Sequence, residues 1–298
     1  MDLSATCHLF SGVFPTFLAS GDLAAEKLPF LGWFTNSIFV AIIVLVMVLW
    51  FVRLATRKME LIPNRKQNFV EFVVEFLYGQ VEQIVGSRLA PKVFPLLATI
   101  FIFILVANWF GLIPGVGTIG FGGHDDMIAL FSIDSHAEHF TPIFRPATAD
   151  LNMTLGTAMV FMLSWVWITY RELGVLGFVV HTFGPKGDLS GFLKYALMPI
   201  FFFVGVIEII SIMFRPISLS FRLFGNIFAG ETLLHTMTEL AELLGIPTKA
   251  AQFISSCLFP LPFYFMEILV GLLQAVVFAL LCAVYVRLSM APEEGEAH

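Results

Sequence analysis

Two arginines lie inside one of the most apolar stretches of this sequence. Arg215 and Arg222 both fall within the run 193–230, away from either end. If this run crosses a bilayer, burying an arginine costs at least about 2.5–3.5 kcal/mol, so the side chain must face protein or water. Snorkelling or a structural ion pair would also explain such a residue. These explanations suit Arg215, which precedes a proline, better than Arg222, which heads a more polar stretch.

A row of polar residues places both arginines on one helix face. Its members are separated by 3, 4, 3, 4 and 4 residues, a spacing that forms one continuous stripe on an α-helix. The row covers 18 residue steps, which is roughly 27 Å at about 1.5 Å per residue. Such a stripe cannot face lipid, so it must face a water path or a partner's polar groups. This polar stripe consists of Glu208, Ser211, Arg215, Ser218, Arg222 and Asn226.

Two further pairs of residues could exchange protons or bind water. Glu231 and His235 are four residues apart just beyond the stripe, and Glu231 is turned about half a circle from Arg222. Glu267 and Gln274 are seven apart and share a face of the last apolar run. Carboxylates and imidazole titrate near neutral pH when their surroundings shift them. We therefore expect two packed helices with a wet polar seam, although a satisfied contact between helices would explain His235 or Glu267 as well.

The composition assigns these residues to a membrane protein. Hydrophobic residues make up 58% of the 298 residues, charged residues only 13%, and the mean hydropathy is +0.89. Soluble domains carry about 25% charged residues. The net charge of −6 and the lack of basic patches argue against nucleic-acid binding. The three cysteines are far apart, so neither a disulfide framework nor a thiolate metal site is predicted.

The apolar runs predict an all-α polytopic fold with about five membrane-embedded helices. A helix of about 20 apolar residues crosses the hydrocarbon core. The last two runs are each nearly 40 residues long, so each is either a long, steeply tilted helix or a broken one. The five runs lie near 31–52, 93–113, 153–170, 193–230 and 250–290. The prolines that could kink the last two runs are Pro199, Pro216, Pro260 and Pro262.

The remaining segments divide into one surface helix and several loops. Between the first two runs, apolar residues from Phe69 to Val85 recur at helical spacing opposite Glu71, Glu75 and Glu82. This pattern predicts an amphipathic helix that lies on the membrane or on a partner. The other predicted segments are an extracytoplasmic segment 1–30, a single membrane domain 31–298, a polar loop 115–150 and a glycine-rich connector 174–191. The start lacks the basic region of a signal peptide, which disfavours processing, although residues 9–19 are mildly apolar and LAS at 18–20 resembles a cleavage site.

The basic residues predict the orientation. Eleven of them fall on one side of the predicted spans and three on the other, and Lys and Arg are enriched in cytoplasmic loops. We expect the N-terminus outside and the C-terminus in the cytoplasm. The eleven are Arg53, Arg57, Lys58, Arg65, Lys66, Arg88, Lys92, Arg171, Lys186, Lys194 and Arg287, and the three are Lys27, Arg145 and Lys249.

Several stretches resemble a known family. PISLSFRLFGNIFAGETLLH at 216–235, PATADLNMTL at 146–155, the helix that carries Gln274 and the acidic tail SMAPEEGEAH are similar to subunit a of F-type ATP synthases. The similarity runs from about residue 30 to the end, and the RLFGN…AGE core is highly specific. The chain departs from many bacterial members at Glu267, where they often have histidine or glycine, and at Gly111, where an acidic residue is frequent.

The resemblance implies a role for each candidate residue. Arg222 corresponds to the stator arginine that faces the rotating c-ring, and Asn226 lies one turn along the same face. The outer half-channel would be lined by Glu231, Glu267 and Gln274, with His235 at a position that is polar in several relatives. Glu208 and Ser211 match positions near the cytoplasmic half-channel, and we assign Arg215 to the same side.

The resemblance also implies a function for the whole chain. It would be the stator subunit of the ATP synthase membrane sector, which conducts protons through two aqueous half-channels and thereby couples the proton-motive force to rotation. It would have no catalytic site, cofactor or metal of its own. Its partners would be the c-subunit ring, the peripheral-stalk b subunits, the rest of the complex and the lipid of a bacterial inner membrane.

Other classes of function fit the sequence less well. A secondary transporter often shows inverted repeats, and none is visible. A purely structural assembly protein would not need a charged stripe of bilayer length. No GxSxG or HExxH motif suggests an intramembrane hydrolase. A metal site in the loop is disfavoured because the spacing of its acidic and imidazole side chains fits no zinc pattern: His124, Asp125, Asp126, Asp134, His136 and His139.

Overall fold

A computed structural model describes most of the helical part of the chain. The described residues are 35–57, 65–113, 116, 120–121, 128–129, 141–183, 192–243, 254 and 258–290. The predicted segment 1–30, the histidine–aspartate cluster at 124–139 and the acidic tail lie outside them. The helices are α1 (Asn36–Thr56), α2 (Arg65–Val85), α3 (Ala90–Gly111), α4 (Leu151–Phe183), α5 (Phe192–Leu243) and α6 (Leu261–Met290).

The all-α membrane fold is confirmed. Among the described residues, five helices are long and apolar enough to cross a bilayer, and these spans are Asn36–Leu54, Ala90–Gly111, Leu151–Gly174, Met198–Leu234 and Leu261–Met290. The predicted polar loop contains three two-residue strands, β1 (Gly120–Phe121), β2 (Ile128–Ala129) and β3 (Thr141–Pro142). They pair antiparallel in the order β2-β1-β3, and a 3-10 turn follows at Ala147–Ala149.

The two long apolar runs have different outcomes. Helix α5 is continuous over 52 residues and passes through Pro199 and Pro216, so the tilted alternative is correct for that run. Its 37-residue span is about 55 Å long at about 1.5 Å per residue, nearly twice the roughly 30 Å hydrocarbon core, and must tilt steeply. The run 250–290 is broken at Pro260, as the second alternative predicted, because Leu258 is helical, Phe259 and Pro260 form a turn, and α6 begins at Leu261. Pro262 does not kink α6, since proline is tolerated in a first helical turn.

The prediction of a glycine-rich connector at 174–191 is wrong for residues 174–183, which are helical. Helix α4 continues to Phe183 in two segments that meet at Gly174, where φ is 72° and ψ is 171°. Glycine reaches this left-handed backbone region without steric cost. The break therefore redirects the chain at the end of the membrane span without unwinding it into a loop.

Helix α6 lies at the centre of the packing and contacts α2, α3, α4 and α5. At its C-terminal end Arg287 Nη1 donates to Ile84 O at 2.7 Å, which satisfies a carbonyl in the last turn of α2. Nearby, Lys92 at the start of α3 forms an ion pair with Glu172 on α4. These contacts bring α2 and the ends of three spans to one side of the molecule.

The predicted surface helix α2 packs only part of its apolar face. Leu77, Val81 and Val85 are buried, and they belong to the cluster that includes α6. Phe72 and Phe76 stack on each other at 6.5 Å and remain exposed. The helix therefore presents aromatic side chains away from the bundle, as suits a position at the boundary between lipid and water.

Gly111 is explained by the packing of α3 against the segment that precedes α4. A Cβ at this position would lie 2.8 Å from Pro146 Cγ and 2.9 Å from Pro146 Cβ. A rigid proline ring fills the space that an acidic side chain would need. The departure from the family pattern at this residue is therefore a steric consequence of close packing.

Replacing Gly111 with alanine is expected to destabilise the chain by about 1–3 kcal/mol, because overpacking forces backbone shifts. The midpoint of thermal unfolding of the purified protein in detergent should fall. The matched control is Gly156→Ala on α4, whose added Cβ meets nothing within 4 Å. Equal midpoints for the two variants would contradict the proposed fit against Pro146.

Candidate functional site

Arg222 points out of the helical bundle. Its side chain is exposed, while the next two residues, Leu223 and Phe224, are buried in the core. It makes no hydrogen bond or ion pair with any described residue. A permanent charge inside a membrane span thus faces outward without a counter-charge among the described residues.

The polar stripe lies on one unbroken helix, as its spacing predicted, but its members have different surroundings. Ser211, Ser218, Arg222 and Asn226 are exposed, whereas Glu208 and Arg215 are half-buried. The structure therefore separates one outward-facing cation from stripe residues that contact other helices.

Two stripe residues contact neighbouring helices directly. Asn226 Nδ2 donates to Gln274 Oε1 on α6 at 2.7 Å. The Arg215 guanidinium lies over the rings of Tyr285 on α6 and Trp165 on α4, with its Cζ 4.7 Å and 5.7 Å from the ring centroids. These contacts fix α5 against the bundle on both sides of Arg222.

Glu267 occupies a narrow site between α6 and α5. Its side chain is only 6% exposed. A Cβ on Gly230 would lie 2.3 Å from the Glu267 Cδ and Oε1 atoms. The carboxyl group therefore rests on the bare backbone of α5, and Gly230 is required for this close approach. Glu231, the next residue, is half-buried.

Two residues of the predicted polar seam, Glu267 and Gln274, are buried. Gln274 is 4% exposed, and with Glu267 it faces the α5 helix. His235 belongs to α5, but its side chain lies outside the described part of the structure.

Asn108 on α3 is a candidate site residue that the sequence analysis did not single out. It is 3% exposed, and its Nδ2 donates to Gly271 O on α6 at 3.2 Å. Within the described residues, its Oδ1 and the Nε2 of Gln274 have no hydrogen-bond partner. Buried polar atoms of this kind are usually satisfied by ordered water. The available signal was a lone amide within the apolar run 93–113.

The segment before α4 helps to hold α5 in place. Asp150 Oδ1 accepts from Asn152 N at 3.0 Å at the start of α4, a local side-chain bond that favours helix initiation. One turn later, the Thr154 and Ser220 hydroxyl oxygens lie 3.0 Å apart in the core. The PATADLNMTL stretch thus contributes a direct polar contact to the helix that carries Arg222.

If the chain conducts protons, as the sequence resemblance implies, replacing Gly230 with alanine is expected to lower proton transport about 10-fold, or about 1.4 kcal/mol, without unfolding the protein. The added methyl would displace the Glu267 carboxyl, which is the mobile end of a flexible side chain, and alanine favours helix by roughly 1 kcal/mol over glycine. ATP-driven acidification of inverted vesicles measures the effect. Gly225→Ala, whose Cβ meets nothing within 4 Å, is the control, and equal transport by both variants would argue against a role for the Glu267 site.

Comparison with known proteins gives a consistent result. Residues 38–287 match the family model of the ATP synthase A chain. The chain is 34% identical over 257 residues to ATP synthase subunit a 3 of Pelobacter propionicus, with 86% of each chain covered. It is 31% identical over 275 residues to ATP synthase subunit a of Protochlamydia amoebophila (90% of this chain, 84% of the relative). For the Geobacter sulfurreducens protein of the same name the identity is 32% over 245 residues (82% and 81%).

Proposed function

The chain belongs to the ATP synthase A chain family, and from this membership we propose that it is the stator subunit through which protons cross the membrane sector. It is a multi-pass membrane protein of the ATP synthase complex. In our proposal it forms two aqueous half-channels against a ring of c subunits. It carries no catalytic site of its own, and its proton transport drives rotation for ATP synthesis or is driven by ATP hydrolysis.

The observation that supports this proposal is the exposed Arg222, which has no counter-charge among the residues that the structure describes. An ionised carboxylate on a passing c subunit would supply the missing anion, with an attraction of about 4 kcal/mol at 4 Å and an effective dielectric near 20. A protonated carboxyl can face lipid, whereas an ionised one is too costly to desolvate. Each c subunit must therefore give up its proton only near Arg222 and regain one before it returns to lipid.

Arg222 also separates the two half-channels in this proposal. The guanidinium does not titrate in proteins, so it repels a proton that would otherwise leak from one water path to the other. A proton that crosses about 100 mV releases about 2.3 kcal/mol. Because a proton cannot cross directly between the two half-channels, it crosses only when the ring rotates, and its free energy is therefore coupled to rotation.

The remaining polar residues are assigned to the two paths. On the outer side we place Asn226, Glu231, His235, Glu267 and Gln274, and we add Asn108 because it shares the buried polar site. On the cytoplasmic side we place Glu208 and Ser211. The positions of Glu267, Gln274 and Asn108 between α3, α5 and α6 support a connected outer path.

The proposal includes an orientation and further partners. Arg53, Arg88, Lys92, Arg171 and Arg287 all lie at or near helix ends on the side where α2 packs. Basic residues favour the cytoplasmic side, which places the N-terminus outside and the C-terminus inside. The exposed aromatic face of α2 suits the membrane surface, and we further propose contact with the peripheral-stalk b subunits in a bacterial inner membrane.

Mild-detergent purification of the tagged chain tests the proposal. We expect a small, carboxylate-bearing c subunit to co-purify as a ring, and reconstituted vesicles to conduct protons only when both are present. Omitting the ring is the control. A monodisperse chain that transports ions alone would support a secondary transporter instead.

A further inference from the structure

We propose that Arg215 is a positioning residue. Its guanidinium, held between the rings of Trp165 and Tyr285, fixes the rotation of α5 about its own axis and thereby the direction of Arg222. The consequence for proton transport rests on the proposed function. The positioning itself is a statement about the chain alone and can be tested without the rest of the complex.

The geometry of the contact is that of a cation between two aromatic faces. The Cζ atom of Arg215 lies 4.7 Å from the Tyr285 ring centroid and 5.7 Å from that of Trp165, both within the roughly 6 Å at which such attraction acts. The three side chains come from α5, α6 and α4. A single guanidinium therefore joins three spans.

The aromatic partner on α4 is itself held in place. Trp165 is 1% exposed, and its Nε1 donates to Tyr285 O at 3.2 Å and to Ser289 Oγ at 3.1 Å. Both acceptors belong to α6. The Trp165 ring therefore has a fixed orientation before α5 is considered, and Arg215 docks onto a preformed surface.

Arg215 also lies close enough to Arg222 along the same face of α5 to influence the direction of the Arg222 side chain. The contacts Arg215–Tyr285 and Asn226–Gln274 pair α5 with α6 in one antiparallel register. Arg222 lies seven residues after the first and four before the second, within about 20° of Arg215 and about 40° of Asn226 around the helix. Leu219, Leu223 and Phe224 pack in the core between these two contacts, and the polar contacts add a directional constraint on the angle at which Arg222 leaves the bundle.

The first experiment measures the rotation of α5 in the full chain. In a background with Cys7, Cys257 and Cys282 replaced by alanine, Ser218→Cys reports the exposed face and Ser220→Cys the buried face. A small methanethiosulfonate reagent labels each variant in detergent, and the ratio of the two rates is compared. We expect Arg215→Met to lower the 218:220 ratio by between about 2-fold and 30-fold, the range that a cation–π contact supports.

Matched variants separate the ring contact from other effects. Tyr285→Leu should lower the ratio as Arg215→Met does, whereas Tyr285→Phe keeps the ring and should preserve it. Arg171→Met is the control, because Arg171 lies 5.0 Å over Trp167 of its own helix and has no cation–π contact with a second helix among the described residues. If Arg215→Met does not fold, the two Tyr285 variants give the answer. An unchanged ratio in Tyr285→Leu, or equal loss in Tyr285→Phe, would overturn the proposal.

The second experiment links the position to transport. In the reconstituted complex, Arg215→Met should lower ATP-driven proton pumping by the same factor as the labelling ratio, and Arg215→Lys should restore part of it. A changed labelling ratio with normal pumping would leave the positioning role intact but would count against the proposed function of Arg222. An unchanged ratio overturns the positioning role whatever the pumping shows.

Discussion

Replacing Arg222 with alanine is expected to reduce ATP-driven proton pumping by about 1000-fold or to background. The lost attraction of about 4 kcal/mol at 4 Å corresponds to about three factors of ten, at about 1.4 kcal/mol each. Without the cation, an ionised c carboxylate has no partner in the stator, so it has no favourable position from which to exchange its proton. Quenching of a pH-sensitive dye in inverted vesicles measures the loss.

The same substitution should leave assembly intact. The Arg222 side chain is exposed and makes no hydrogen bond or ion pair within the described residues, so its removal creates neither a cavity nor an unpaired partner among them. We also expect passive proton leak to rise, because the barrier between the two half-channels is removed. Arg222→Lys should retain part of the coupling, since the charge remains but the planar fork of donors is lost.

A control must remove an arginine from another exposed position. Arg171→Ala on α4 does so at the end of a span, and pumping should stay near its normal rate. Normal pumping by Arg222→Ala, in a complex shown to contain the ring, would exclude the stator role and would favour snorkelling or an incidental surface charge.

Replacing Glu267 with glutamine is expected to slow proton conduction by about 100-fold, at the lower end of what a positioned proton-transfer group contributes. Glutamine has nearly the same shape and should still rest on Gly230, but it cannot take up and release a proton. Helix packing and assembly should therefore survive. The rate of proton uptake by vesicles under an imposed potential, with ATP hydrolysis measured in parallel, reports the step directly.

Two further variants sharpen the test of Glu267. Glu267→Asp keeps the proton-exchanging group but shortens its reach towards α5, so an intermediate rate is expected. Glu75→Gln on α2 removes an exposed carboxylate and should not change conduction. If Glu267→Gln conducts normally, the residue is a satisfied polar contact between helices, which was the other interpretation of the sequence.

The two predictions differ in what each residue contributes. Arg222 holds a fixed charge and is predicted to act on a group of another subunit, whereas Glu267 is predicted to move a proton inside this chain. In the double variant Arg222→Ala/Glu267→Gln, ATP-driven proton pumping should fall no further than in Arg222→Ala alone, because coupling already fails without the cation. Passive proton leak is a separate measurement. A slower leak through the double variant than through Arg222→Ala would show that the outer path, which contains Glu267, still limits the leak.

The sequence by itself determined the number of spans, the surface helix and the common face of Glu208, Arg215, Arg222 and Asn226. The physical reasons are local. A bilayer requires about 20 apolar residues for each crossing, and helical geometry fixes which residues share a face whatever lies next to them. Proline was the less certain signal, since Pro199 and Pro216 lie within a continuous helix while Pro260 and Pro262 flank the start of another.

Only the tertiary structure decided which neighbours each residue on that face contacts. Arg215 lies between two aromatic rings, Asn226 bonds to Gln274, and Arg222 has no partner among the described residues. Likewise, Gly230 accommodates Glu267 and Gly111 accommodates Pro146. Such contacts join residues that are between 35 and 70 positions apart, and they depend on the rotation and register of packed helices. Those two quantities result from the fit of many side chains at once, so no local pattern in the sequence specifies them.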